Sequence, residues 1–177
     1  GKGVPRLDTP DKVTGKAVFG IDVKVPGMLV GTVARCPVFG GTVASFDATR
    51  AKAIPGVRQV VQISSGVAVV ARDYWTAKRG RDALVINWNE GPNAKQSSAA
   101  ITQTYAALAQ QPGPVARKEG DVAKALGEAP RVIDAVYEVP FLAHATMEPM
   151  NCTAHVRPDG CDVWAPTQSQ SGSKKTA

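Results

Sequence analysis

The densest group of side chains able to do chemistry is Pro140-Phe141-Leu142-Ala143-His144-Ala145-Thr146-Met147-Glu148-Pro149-Met150-Asn151-Cys152-Thr153-Ala154. A His, a Thr, a Glu and an Asn sit there among apolar residues, in a short connection that leaves one strand-like stretch and enters another. A Glu between Met and Pro needs hydrogen-bond donors or a counter-charge if it is buried. On residue chemistry alone two readings stay open: a loop whose polar groups satisfy their own backbone, and a functional site. Ordinary catalytic constellations are missing. The sequence has no P-loop, no Gly-x-Gly-x-x-Gly and no Gly-x-Ser-x-Gly. Asp159 and Asp162 flank a turn and need no functional explanation. His144 and His155 lie eleven positions apart, and no two of Cys36, Cys152 and Cys161 have CxxC spacing, so neither a zinc site nor a disulfide framework is expected.

Composition narrows the classes further. With 44% hydrophobic residues over 177 positions, the chain can bury a core. With only 6% aromatics, that core must be built from Val, Ala, Ile and Leu. The net charge is +6, but Lys and Arg are interleaved with acids from Lys2 to Lys175. The tightest group, Arg72, Lys78, Arg79 and Arg81, contains Asp73 and Asp82, so it reads as a solvated surface. Single-strand nucleic-acid binding would need aromatics alternating along one strand, and Tyr74, Trp75, Trp88 and Trp164 do not. No apolar run is long enough for a bilayer helix, and Gly1 to Pro5 has no signal-peptide character. The native compartment stays open.

The elements that must position the motif follow from local pattern. Residues 1–26 read as a turn-rich lead-in, with a short strand over Ala17 to Val23. Met28 to Arg35 and Thr42 to Phe46 read as strands. Asp47 caps a short helix over Ala48 to Ile54, stopped by Pro55-Gly56. Val57 to Ile63 is a strand, Ser64-Ser65-Gly66 a turn, and Val67 to Ala71 a strand apolar enough for burial on both faces. Asp73 caps a helix from Tyr74 to about Ala83, and a strand over Leu84 to Trp88 follows. The order is β-α-β-β-α-β, a compact α+β unit. Glu90 to Lys95 is a linker. Ser97 or Ser98 caps a helix to about Gln110, with Ile101, Tyr105 and Leu108 on one face. A short strand is expected over Val115 to Lys118. Asp121 caps a small helix stopped by Gly127, and a strand with alternating apolar residues is expected over Arg131 to Pro140. Asn151 to Arg157 then pairs with Cys161 to Ala165 across Pro158-Asp159-Gly160. Arg157 opposite Gly160 sets Val156 against Cys161 and Ala154 against Val163 on one apolar face. Cys152 and Cys161 then read as small core residues, and His155 faces the polar side. From Ser169 on, a frayed, disordered tail is expected.

Several of these stretches resemble the xanthine dehydrogenase and aldehyde oxidase family of molybdopterin-binding large subunits, and within it the isoquinoline 1-oxidoreductase type of beta subunit from bacteria. Pro5-Arg6-Leu7-Asp8 and Val13-Thr14-Gly15-Lys16-Ala17 resemble the family's lead-in. Phe19-Gly20-Ile21-Asp22-Val23, Pro26-Gly27-Met28 and Pro37-Val38-Phe39-Gly40-Gly41 resemble its α/β-hammerhead domain, and Ile54-Pro55-Gly56-Val57 and Val67-Ala68-Val69-Val70-Ala71 continue it. The most specific are His144-Ala145-Thr146-Met147-Glu148-Pro149 and Trp164-Ala165-Pro166-Thr167-Gln168.

The resemblance implies an α+β fold, with residues 1–92 as lead-in and hammerhead domain, 93–130 as helical linker, 131–168 as the start of the molybdopterin-binding domain and 169–177 as tail. It implies a molybdenum–pterin cofactor that hydroxylates N-heteroaromatic or aldehyde carbons with water as the oxygen source. The implied partners are the remainder of the molybdopterin-binding subunit and a small [2Fe-2S] subunit. Gln168 falls at the family position whose amide donates to an oxygen on molybdenum, a role that suits a donor adding no charge. His144 and Glu148 belong to the motif without an assigned role. The family's Gly-Gly-Phe loop and its late catalytic Glu have no counterpart among the 177 residues. The chain is therefore expected to be a fragment without catalytic residues or metal ligands of its own, inactive alone and binding no cofactor alone. The competing expectation is a non-catalytic hammerhead-like interaction module, dimerising through an uncovered hairpin.

Overall fold

The computed structural model describes residues 1–176. Two compact units emerge from its contacts: Gly31–Leu142, and Gly1–Val30 together with the residues from Ala143 on. The second grouping joins the lead-in to the C-terminal motifs.

A short helix, α1 (Thr9–Val13), opens the chain. The strand expected over Ala17 to Val23 is instead a 3-10 turn over Gly20–Asp22. The Phe19 N–H donates to the Asp22 carboxylate at 3.0 Å, and the Asp22 N–H returns to the Phe19 carbonyl. An acid three residues past an extended residue closes the chain on itself and removes the donors a ladder would need.

The β-α-β-β-α-β order is as expected. β1 (Val30–Ala34) precedes β2 (Thr42–Asp47), α2 (Thr49–Lys52), β3 (Val57–Ile63), β4 (Gly66–Ala71), α3 (Tyr74–Asp82) and β5 (Val85–Asn89). β1, β4 and β3 form one sheet in that order, with β4 central, while β2 pairs with β5 antiparallel. Asp47 ends β2 rather than standing free before α2, yet its carboxylate still accepts from the Thr49 N–H at 2.8 Å. Asp73 caps α3 through the Thr76 N–H at 2.8 Å. The core is Val and Ala without Leu or Ile: Val67, Val69, Ala71, Ala51 and Ala77 have no exposed surface. α3 can lie this close to β4 because Gly80 has no side chain; a Cβ there would stand 2.7 Å from Val69 Cγ1 and 3.1 Å from Val57 Cγ2. Gly66 serves the β1–β4 contact in the same way. Its φ is 150°, and a Cβ would fall 2.0 Å from the Ala34 carbonyl oxygen.

Beyond β5, α4 (Ser98–Leu108) is capped by Ser97 and α5 (Val122–Glu128) by Asp121. Gly127 does not stop α5, which continues through it to Glu128. No strand forms over Val115 to Lys118 or over Arg131 to Pro140. The alternation in the second stretch is real, but no neighbouring strand meets it, and an isolated strand leaves its backbone unpaired. Its end lies against α4: Thr102 Oγ1 donates to Glu138 Oε1 at 2.8 Å, and the Tyr105 and Phe141 rings meet edge-on at 6.4 Å.

β6 (Thr153–Arg157) and β7 (Gly160–Trp164) form the expected hairpin, with Val156 opposite Cys161, Ala154 opposite Val163 and Arg157 opposite Gly160. Cys152 and Cys161, expected in a core, are exposed. The hairpin register is right, but a two-stranded ribbon has no second layer to bury its apolar face. His155 is exposed, as expected, opposite Asp162. The expected frayed tail is a helix, α6 (Gln170–Thr176). Just ahead of it Thr167 Oγ1 accepts from the Ser169 N–H at 3.0 Å, and Lys174 and Lys175 stand in the last turn, where the helix dipole favours cations. Ala177, the end of that expected tail, lies outside the described residues.

Candidate functional site

Three stretches that are far apart in sequence meet in the unit formed by the two ends of the chain. Glu148 is half-buried, and its Oε1 accepts twice: from the Ile21 backbone N–H at 3.1 Å and from Asn151 Nδ2 at 2.9 Å. The same Asn151 amide also donates to the Pro149 carbonyl at 2.8 Å. Thr146 Oγ1 donates to the Glu148 carbonyl at 2.9 Å, which tightens the loop around the acid. Glu148 therefore satisfies a donor at the start of the 3-10 turn, while Asp22 serves the Phe19 N–H. A carboxylate at the start of a helical turn also meets the positive end of its peptide dipoles.

The turn sits close against this loop. A Cβ on Gly20 would stand 3.0 Å from Asn151 Oδ1, 3.2 Å from Pro166 Cδ and 3.3 Å from Glu148 Oε1. A side chain there would require these neighbours to give by a few tenths of an ångström. Asn151 Oδ1 is buried beside it without a hydrogen-bond partner. Pro166 carries the contact into the second motif, where Gln168 follows two residues later. Gln168 is exposed at a bend. On its far side Thr167 Oγ1 lies 3.1 Å from Ser173 Oγ and also accepts from the Ser169 N–H.

His144 is exposed and takes no part in this node. Ala145 beside it has a φ of 41°, in the left-handed region that an alanine enters at a cost of about 1–2 kcal/mol. On the hairpin, the Arg157 guanidinium pairs with Asp162 and holds its carboxyl below the usual range. A cavity of about 400 Å³ lies elsewhere, lined by Lys52, Val57, Arg58, Gln59 and Val60, and none of the motif residues contributes to it. Among the described residues, no group of three or more His, Cys, Asp or Glu side chains is placed to hold a metal ion. Gln168 presents a neutral amide, able to donate and to accept, at an exposed bend.

The profile of the molybdopterin cofactor-binding domain matches residues 107–177, which include the whole 140–154 loop and Gln168. Residues 107–177 therefore belong to the molybdopterin cofactor-binding domain family. Relatives agree along its length. It is 43% identical over 97 residues to the beta subunit of isoquinoline 1-oxidoreductase from Brevundimonas diminuta, covering 55% of this chain and 12% of that protein. It is 34% identical over 175 residues to a membrane-bound aldehyde dehydrogenase (pyrroloquinoline-quinone) of Gluconacetobacter polyoxogenes, covering 93% of this chain and 23% of that one. It is 27% identical over 177 residues to a nicotinate dehydrogenase subunit from Pseudomonas putida KT2440, covering 96% and 15%. Quinoline 2-oxidoreductase from Pseudomonas putida 86 has the same fold over 93% of this chain and 26% of its own, with a TM-score of 0.67 at 18% identity. The chain thus spans only a minor part of the length of each of these proteins.

The motifs of this family are visible in the sequence, but their meeting is not. Gly20, Ile21, Asn151 and Pro166 all lie in or beside stretches that resemble the family, and nothing in their spacing signals that the lead-in closes on Glu148. The usable signal is Glu148 itself, an acid among apolar residues that needs donors.

Proposed function

We propose that this chain is part of the large subunit of a molybdenum hydroxylase that oxidatively hydroxylates an N-heteroaromatic or aldehyde carbon with oxygen from water. In this reading residues 1–92 are lead-in and hammerhead domain, 93–130 a helical linker, and residues from 131 the beginning of the molybdopterin-binding domain. The rest of that domain and a small [2Fe-2S] subunit are its partners. The molybdenum cofactor, when bound, supplies the redox chemistry. Gln168 supplies one neutral hydrogen bond to an oxygen of that cofactor. The single observation that carries the reading is the profile match over residues 107–177, because it falls on the loop and the Gln168 bend. One relative's name carries pyrroloquinoline quinone instead. The molybdopterin reading is preferred because the match lies on this chain's own residues.

The test is made in the intact enzyme containing this sequence. Gln168→Ala is expected to lower kcat by about 10²–10³, the loss typical of one preorganised donor to a charged oxygen, with molybdenum content retained. An unchanged kcat removes Gln168 from the cofactor contact. Elemental analysis finding no molybdenum, with a quinone absorbance in its place, removes the cofactor assignment. The isolated 177-residue chain is expected to hold no stoichiometric molybdenum.

The interaction-module reading is favoured by a different observation. Val136, Tyr137 and Val139 are 94%, 91% and 84% exposed, and Val156 on the hairpin is 76% exposed. Apolar side chains so placed bury themselves against another surface where one is available.

A further inference from the structure

We propose that Glu148 is a positioning residue for Gln168, acting through the Phe19–Asp22 turn and Pro166; the functional weight of that position rests on the cofactor reading above. The chain of contacts is continuous. Glu148 Oε1 holds the Ile21 N–H at 3.1 Å and the Asn151 amide at 2.9 Å. The held turn presents Gly20 so closely that an added Cβ would press on both Asn151 Oδ1 and Pro166 Cδ. Pro166 is thus seated from one side, two residues before Gln168. On the other side the Thr167 hydroxyl takes the Ser169 N–H, and the Ser169 carbonyl accepts from the Ser173 N–H in α6. The Gln168 bend has a support at each end, and Glu148 controls the one built from residues 127 positions apart. A self-satisfied loop would not need this arrangement, since its acid would accept from its own backbone. Glu148 accepts instead from the lead-in.

The test uses the whole ¹⁵N-labelled chain without cofactor and reads three sets of amides. Ile21 exchange reports the Glu148 contact, the Gln168 backbone and side-chain signals report its position, and Val67 and Val69 report the fold of the other unit. Glu148→Ala is expected to speed Ile21 exchange about tenfold and to shift or broaden the Gln168 signals, with Val67 and Val69 unchanged. Glu148→Gln keeps a carbonyl acceptor and is expected to restore both readouts. Gly20→Ala leaves the carboxylate in place and is expected to displace Gln168 by forcing the turn away from Pro166. If Glu148→Ala also disturbs Val67 and Val69, the Gln and Gly20 variants decide. Gln168 signals at wild-type positions in Gly20→Ala, or an Ile21 exchange rate indifferent to Glu148, overturn the proposal. Because no cofactor is present, a Gln168 that moves here yet proves dispensable in the intact enzyme defeats only the cofactor reading. A Gln168 that is essential there but unmoved here defeats only the positioning role.

Discussion

The Glu148 carboxylate accepts the Ile21 N–H at 3.1 Å across 127 residues of chain, and the Asn151 amide donates to the same oxygen. That one oxygen ties the lead-in to the loop between the last irregular stretch and the hairpin. Closing so long a loop carries an entropy cost that grows only slowly with its length, so a few good contacts suffice to hold it.

Asn151→Asp tests the polarity of this node. The substitution removes the donor and sets a second carboxylate beside Glu148. Loss of the hydrogen bond together with like-charge repulsion is expected to destabilise the end-to-end unit by about 1–3 kcal/mol at neutral pH. Hydrogen exchange at Ile21 checks it, and an exchange rate equal to that of the unsubstituted chain contradicts the arrangement.

The contact of α3 with β4 gives a prediction whose sign is set by two competing terms. Gly80→Ala gains about 1 kcal/mol of helix propensity. It also forces a methyl to within 2.7 Å of Val69 Cγ1, an overpacking that costs about 1–3 kcal/mol. The net effect is a loss of about 1 kcal/mol. Val69→Ala alone, at a fully buried position, should lose about 2–3 kcal/mol. In the double variant the alanine methyl occupies space that Val69 has vacated, so the combined loss should fall short of the sum by about 1–2 kcal/mol. Urea unfolding of the four proteins measures the coupling, and strict additivity would sink the packing account.

How much of this is legible in the sequence follows from which forces act locally. The β-α-β-β-α-β order, the Asp73 and Ser97 caps and the hairpin register are all readable, because each depends on side chains a few residues apart. The stretch over Arg131 to Pro140 misleads for the opposite reason. Its alternation is a statement about a partner strand, and no ladder forms on it here. α6 is hidden because the residues before it lie inside a motif valued for its glutamine, and Ser-Gly-Ser reads as tail. The Glu148 node can be posed from sequence only as a question, what donors an acid between Met and Pro would find. The answer lies in the lead-in.

Asp73 gives a pH dependence with a definite sign. The Thr76 N–H, then its hydroxyl, hold the Asp73 carboxyl below its usual value of 3.8. A depressed folded pKa means that the cap's stabilisation is complete above the unfolded value. It is lost as pH falls through the folded one. Asp47, held down by the Thr49 hydroxyl and N–H, acts in the same direction. Asp73→Ala should therefore lower the Tm most at neutral pH, and the gap to the unsubstituted chain should narrow below about pH 4. Thermal melts at about pH 7, 5 and 3 bracket that value and check it. A gap that widens towards acid refutes the cap as the source.

The exposed apolar stretch gives the last prediction. Tyr137 and Val139 stand two apart with 91% and 84% of their surface open, so they share a side in any extended pairing. In the reading proposed above, the rest of the molybdopterin-binding domain would cover them. In the isolated chain their burial against a second copy would remove about 1.5–3 kcal/mol of exposed apolar cost per side chain. Sedimentation velocity should then show mass rising with concentration. Tyr137→Lys with Val139→Lys should weaken the association by at least about tenfold, since that factor corresponds to only about 1.4 kcal/mol. Val61→Lys, on β3, should leave it unchanged. A monomer at every concentration, or equal effects of the two sets of substitutions, would show that these residues are not the surface the chain seeks to cover.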